Sequence, residues 1–326
     1  MIYVETGSTD VYFNFATEYY FASEKKLEDT VFLFWRTEPT LMIGKYQNTF
    51  EEIDLEYARE KEIQVVRRLS GGGTIYTDLG GWQFSFIDYR QGNDIQFQDY
   101  IKPVIEALHE LNVPCEFNGR NDLVIKGRKF SGNAQFKLNG CTVHHGSTLF
   151  STNIEEMVRS TQVDPHKILS KSIKSVRDRV TNIQDHLDFA MEPEVFKQHM
   201  VKYMMNGSTS TYELSGEERR QIQQLADEKF RSDAFRFGAN PKFTLTRTGR
   251  FAGGKITIQL EFEKSRIRHA KLCGDFFGNE QVERLEQVMT GMPLEREALL
   301  DAMRTNALEG SIYGITVEEI VETILS

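Results

Sequence analysis

Apolar residues recur along this chain with two spacings, one suited to strands and one to helices, and the switches between them mark out its elements. Phe15, Tyr19 and Ala22 share one face of a helix expected over 14–24, after which VFLFWR (31–36) and TLMIG (40–44) read as strands joined by a turn at Pro39. Asp54 is placed to cap a short helix through Glu62, which leads into a β-branched strand at 63–67. Trp82, Phe84 and Phe86 alternate with Gln83, Ser85 and Ile87, the pattern of a strand with one aromatic face. Helical spacing returns from about Asp99, where Ile101, Val104, Ile105, Leu108 and Leu111 line one side and Pro103 falls near the first turn. Between 115 and 150, short strands are separated by turns at Asn118-Gly119, Lys126-Gly127 and Asn139-Gly140. Helices resume from about 153, with two at 193–205 and 216–229 separated by the polar connector GSTSTYELSG. The basic segment 171–183, KSIKSVRDRVTNI, shows no regular apolar period; it is expected to be an ordered loop that offers Arg177 and Arg179 to other parts of the chain.

The pattern changes near residue 249. GRFAGGKI (249–256) nearly spells a Walker phosphate loop, but Ile256 stands where a metal-binding hydroxyl is required and ITIQLEF then alternates as a strand. Strands at 255–263 and 265–272, then helices near 279–289, 294–305 and 316–325, make a small α+β unit. In the first half strands outnumber helices, which predicts an α+β fold rather than a doubly wound sheet.

Composition narrows the function. With 326 residues, 40% hydrophobic and 27% charged, the chain reads as an ordinary soluble globular protein. No apolar run approaches the ~20 residues of a membrane span, and MIYVETGSTD lacks a basic segment followed by an apolar one, so no membrane role and a cytoplasmic location are expected. Three widely spaced cysteines, Cys115, Cys141 and Cys273, argue against a disulfide framework and a cysteine zinc site. A net charge of −9 argues against nonspecific nucleic-acid binding, so any anionic ligand needs a local basic pocket.

Three segments offer such chemistry. In RRLSGGGTIYTDLGGW (67–82), Gly71, Gly72 and Gly73 remove every Cβ from one bend between strands, beside the guanidinium forks of Arg67 and Arg68. That is either an anion cradle or a hairpin turn with two solvated arginines. In GRNDLVIKGRKFSGNAQF (119–136), Lys129 is expected to share a strand face with Ser131, with Gly132 allowing close approach of a ligand, and Asp122 is a carboxylate suited to Mg²⁺ beside a phosphate. The alternative is an exposed charged hairpin. In CTVHHGSTLF (141–150), strand alternation sends His144 and His145 to opposite faces, which excludes a paired-histidine metal site and leaves one ring for the core and one for a pocket beside Gly146. Trp35 is either core or a wall of an apolar slot.

Taken together, PTLMIGKYQN (39–48), RRLSGGGTIYTDLGG (67–81), GRNDLVIKGRKFSGNAQ (119–135), HHGSTLF (144–150), SVRDRVTNI (175–183) and GDFFG (274–278) make the chain resemble, over almost its whole length, a lipoate-protein ligase of the A type. That superfamily also holds biotin ligases and octanoyl transferases. The resemblance implies a large mixed-sheet catalytic domain of the biotin/lipoate ligase type at 1–247 and a small α+β accessory domain at 248–326. It implies activation of lipoate by ATP and Mg²⁺ to lipoyl-AMP with release of pyrophosphate, then transfer to a lysine of a lipoyl domain. The acceptors would be 2-oxo acid dehydrogenase complexes and the glycine-cleavage H protein, and the enzyme a monomer. Carried onto this sequence, ATP and the adenylate would meet Arg68, Ser70, Gly71, Gly72, Gly73, Thr74, Ile75, Tyr76, Asn121 and Lys129, with Lys129 catalytic. Lipoate would meet Trp35, Arg68, Lys129, His145 and Gly146, and Asp122 would hold the metal. Thr77 stands where some members have His and is given no role. Two rival activities remain: an octanoyl or lipoyl transferase using Cys141 as nucleophile, and a non-catalytic lipoyl-domain-binding protein.

Overall fold

The structure, a computed structural model, describes residues 1–89, 97–161, 169–237, 245–263 and 266–326. Among the described residues, eleven strands precede residue 238: β1 (Ile2–Val4), β2 (Val31–Trp35), β3 (Thr40–Ile43), β4 (Gln64–Arg67), β5 (Ile75–Thr77), β6 (Gly81–Asp88), β7 (Cys115–Phe117), β8 (Asp122–Ile125), β9 (Arg128–Leu138), β10 (Cys141–Leu149) and β11 (Thr211–Tyr212). Eight of them form one mixed sheet in the order β11-β1-β2-β6-β10-β9-β8-β7, parallel at the β11-β1-β2 end and antiparallel elsewhere. The other three form a short sheet, β4-β3-β5, which holds both ends of the glycine bend.

Both faces of the large sheet are covered, and β2 shows why its sequence is apolar at every position. Phe32 and Phe34 enter one core with Trp82, Phe84 and Phe86 under the helices Gln98–His109 and Pro193–Met204. Val31, Leu33 and Trp35 enter the opposite core with Phe15 and Val143 under the helix Val11–Tyr20, whose N-terminus Asp10 caps by accepting from the Tyr12 N–H. The aromatic face of β6 is therefore core: Trp82 is 2% exposed and stacks on Phe34 at 5.2 Å. It walls no ligand slot.

Two expectations need correction. The segment 171–183 is not a loop, because a helix spans Leu169–Arg177; apolar residues at 169, 173 and 176 recur three and four apart, a period that a window opening at 171 cuts short. The polar connector 207–216 contains β11, which extends the sheet by pairing with β1.

The small domain is a three-stranded antiparallel sheet, β12 (Leu245–Phe251), β13 (Gly254–Glu263) and β14 (Arg266–Gly274), covered by the helices Val282–Met289, Arg296–Thr305 and Val317–Leu325. The sequence reading has no strand at β12, since LTRTGRF carries few large apolar residues; it is an edge strand held by β13. Ile256, Ile258 and Leu260 turn inward. Among the described residues no helix is long and apolar enough to cross a membrane.

Candidate active site

The glycine bend connects β4 to β5, and its arginines turn inward rather than toward solvent. Arg67 donates to the carbonyls of Gly44, Lys45, Gln47, Phe235 and Arg236 and to Thr49 Oγ1. Arg68 donates to the carbonyls of Met42 (2.6 Å), Gly71 (3.1 Å) and Gly73 (2.9 Å). Burial, with the adjacent Arg67 charge, lowers Arg68 to about 10. Neither arginine is a solvated end of a turn; both fix the shape of the bend, and Arg68 also lines a cavity.

The three glycines serve different neighbours. A Cβ on Gly71 would fall 2.1 Å from the Phe276 carbonyl oxygen, and the Gly72 N–H donates to that same oxygen at 3.0 Å. Gly72 has φ +92°, a backbone few other residues adopt, with the Phe277 ring against it. Gly73 alone is open, its nearest neighbour for a Cβ being Asp275 Cβ at 4.0 Å. Two glycines therefore receive the small domain and one faces the cleft.

Lys129 is positioned by three elements. A register shift opposite Leu123 and Val124 pairs Lys129 with Val124 and Gly132 with Asp122, so Lys129 shares a face with Gly132, not with Ser131 as simple alternation predicts. Its side chain runs over the missing Cβ of Gly132 to place Nζ 2.6 Å from Asp122 Oδ1. Its backbone accepts from the Thr181 N–H and donates to the Arg179 carbonyl, which ties it to the end of the segment 175–183.

Two connected spaces meet at this lysine. A narrow cavity of about 110 Å³ is lined by Phe15, Trp35, Arg68, Gly71–Gly73, Thr74, Ile75, Asn121, Lys129, Ala134, His145, Gly146 and Phe277, among others. A wide cleft of about 560 Å³ shares Gly73, Thr74, Ile75, Lys129, Gly132 and Ser147 with it, and adds Gln47, Tyr76 and, from the small domain, Arg250, Lys255, Thr257 and Asp275. Of the residues singled out from sequence, Ser70, Asp122 and Tyr76 do not line the narrow cavity. Ser70 Oγ instead meets His145 Nε2 at 2.7 Å, Asp122 pairs with Lys129, and the Tyr76 ring is buried in a core of its own with Leu41 and Ile43.

The two histidines part as alternation predicts. His144 is buried, stacked on Tyr100 at 4.9 Å and held by Gln135 and Asn133; burial keeps it well below the usual histidine value. His145 lies on the cavity face, with Nδ1 3.2 Å from Glu18 Oε2, and Glu18 in turn accepts from Ser85 Oγ. Sequence reasoning gave Glu18, Phe15 and Phe277 no site role, because two positions on an amphipathic helix and one residue of a distant domain carry no local signature of a site. Cys141 lies outside both spaces: it is buried in the core, and burial pushes its thiol up to about 12, unsuited to a nucleophile.

Residues 10–205 match the family model for the lipoyl protein ligase A/B catalytic domain, and residues 240–324 match that for the bacterial lipoate protein ligase C-terminus. The chain is 38% identical over 330 residues to lipoate-protein ligase LplJ of Bacillus subtilis, covering 99% of this chain and 100% of that protein. It is also 38% identical to lipoate–protein ligase 1 of Staphylococcus aureus, over 90% of each. Among solved structures it is similar to P. falciparum LipL1 in complex with lipoate, with a TM-score of 0.81, 18% identity and 99% of each chain covered. It is also similar to lipoate-protein ligase A bound with ATP, with a TM-score of 0.58, 21% identity and 73% and 97% covered. Matched by both models and at this identity from end to end, the chain belongs to the lipoate-protein ligase family.

Proposed function

We propose that the chain activates lipoate with ATP and then transfers the lipoyl group to a lysine of lipoyl domains. One observation carries this reading: a narrow, largely apolar cavity opens into a wide polar cleft at a single lysine, Lys129. Lipoate laid against Phe15, Trp35, His145 and the bare backbone of Gly146 would bring its carboxylate to Lys129. A nucleotide along the cleft-lining residues Gly73 to Tyr76, with Asn121 nearby, would present its α-phosphate to the same place. Arg68 and Ser70 act one step back, shaping the bend and holding His145.

In the first half-reaction a carboxylate oxygen attacks the α-phosphorus, the bond to the bridging oxygen breaks, and pyrophosphate leaves with the electron pair. Two anions must approach each other, and a lysine ~4 Å from either offsets on the order of 4 kcal/mol at an effective dielectric of ~20. Lys129 does this as a fixed positive charge. Asp122 Oδ1 is buried beside Lys129 Nζ at 2.6 Å, a carboxylate placed to take Mg²⁺ together with phosphate oxygens. Bound there, the metal would neutralise charge on the departing pyrophosphate.

In the second half-reaction the acceptor amine attacks the acyl carbon, the bond to AMP breaks, and the amine loses its proton to solvent. A free lysine is neutral in only about one molecule in 2,500 at pH 7, so a preformed adenylate in a shielded cavity is what makes the step feasible. The acceptors are lipoyl domains of 2-oxo acid dehydrogenase complexes and the glycine-cleavage H protein, and ATP use fits work in the cytoplasm. We place the division between catalytic and accessory units ahead of Leu245, where the small sheet starts, rather than after 247.

The test is exchange of labelled pyrophosphate into ATP. It should depend on lipoate in the wild-type chain and fall by at least about a hundredfold in Lys129→Ala, the scale of losing one preorganised charge contact. Exchange at the wild-type rate in Lys129→Ala would remove the lysine from the chemistry.

A further inference from the structure

The segment 249–256, rejected above as a Walker loop, lies at the cleft all the same. Arg250 and Lys255 are directly opposite each other in the β12–β13 ladder, so both side chains leave the same face of the small sheet. Thr248 and Thr257, the next pair on that face, are joined through their hydroxyls at 3.2 Å. The opposite face, from Ile256 onward, is the core of the small domain. Arg250, Lys255 and Thr257 thus give the small domain's polar contribution to the cleft that Lys129 and Gly73 also line.

Two like charges opposite each other in a strand pair repel, and a fold gains nothing from them unless something negative lies between. Neither side chain has an ionic or hydrogen-bonding partner among the described residues. The carboxylates lining the cleft are Glu52 and Asp275, and Asp275 Oδ1 already accepts from the Lys255 backbone N–H at 2.5 Å. With Lys129 on the far side, three cations border one cleft in a chain whose overall charge is −9.

We propose that Arg250 and Lys255 grip the pyrophosphate end of the nucleoside triphosphate, so that the small domain supplies half of the anion site. This rests on the ligase reading above and adds residues to it. Arg250 provides a planar fork for phosphate oxygens, and Lys255 a compact charge beside it. Adenylation would then need the small domain in its present position, whereas a lipoyl adenylate, which has no pyrophosphate end, would not use these two residues.

The experiment uses the full chain and the variants Arg250→Gln, Lys255→Gln and both together, all at exposed positions. Inorganic pyrophosphate is titrated calorimetrically without lipoate, and the KM for ATP is read from lipoate-dependent exchange. Each substitution is expected to weaken pyrophosphate binding and raise the KM for ATP by roughly tenfold, as loss of a charge-assisted contact does, and the pair by more. Transfer from preformed lipoyl-AMP to a lipoyl domain, and the melting temperature, should stay at wild-type values. Wild-type pyrophosphate affinity in the double variant would overturn the assignment. Because the titration needs no turnover, a wild-type chain that showed no lipoate-dependent exchange would sink the ligase reading separately, whatever the titration gave.

Discussion

Arg67 and Arg68 show what a motif conceals at the level of single residues. The pair is visible in the sequence as donors beside bare backbone, but most of the acceptors are carbonyls of 42–47 and of 235–236, which no local pattern reveals. A buried guanidinium with its donors on backbone carbonyls is a structural group, and its link to ligand runs through the bend it shapes. His144 is a second buried base whose consequence can be measured. The folded protein keeps it neutral, because burial lowers its proton affinity, while the unfolded chain takes up a proton below the ordinary histidine value of 6.5. Protons therefore favour the unfolded state, and stability present at neutral pH should be lost as pH falls below that value, by up to about 1.4 kcal/mol per pH unit. His186, also lowered, adds a smaller effect of the same sign. Urea midpoints compared at neutral pH and at moderately acid pH test this; His144→Gln should flatten the dependence, and an unchanged slope in that variant would assign the acid sensitivity elsewhere.

Among the elements, β9 is where alternation alone misleads. The sequence makes it a strand carrying Lys129, and that is so, but the register shift beside Phe130 reverses which neighbours share the lysine's face. Bulges depend on the partner strand, so a single strand's pattern cannot announce them. The helix Leu169–Arg177 is a related case: its charges hide a short apolar period, and its value to the site is to deliver Arg179 and Thr181 to the two backbone bonds of Lys129. Gly132 is the test of this arrangement. A Cβ there would meet Lys129 Nζ at 3.0 Å and Cε at 3.2 Å, the movable end of a side chain rather than a fixed wall. Gly132→Ala should therefore keep its stability within about 0.5 kcal/mol while pushing Nζ aside. A displacement of about 1 Å at a reacting centre can cost ~100-fold in rate, so pyrophosphate exchange should fall steeply in a protein that melts normally. Normal exchange in that variant would show that the lysine reaches its target by another path.

For the whole molecule, the site depends on how the small domain seats against the large one. Tyr46, from the loop after β3, belongs to the small domain's core and stacks on Phe276 at 4.6 Å, while its carbonyl accepts from the Gly274 N–H. Arg120 donates to the Gly253 carbonyl at 2.8 Å, and Lys45 pairs with Glu283 at 3.1 Å. The sequence makes both domains legible but not this contact, whose partners are more than a hundred residues apart. It also leaves the glycines ambiguous: three in a row signal close approach, and only the assembled molecule shows that Gly71 and Gly72 are approached by protein and Gly73 by open space. Substitution separates the two uses. Gly71→Ala drives a methyl group into the Phe276 carbonyl, 2.1 Å away, and should lift the small domain off, uncovering the edge of its core where Tyr46 packs. Gly73→Ala meets its nearest atom at 4.0 Å and should leave the domains together. Small-angle scattering should then show a larger radius of gyration for Gly71→Ala alone. Its pyrophosphate exchange should drop by about tenfold or more, since the cleft loses the wall that carries Arg250 and Lys255. A Gly71→Ala protein with wild-type dimensions and wild-type exchange would mean that the domain contact yields freely, and that the cleft does not need the small domain in place.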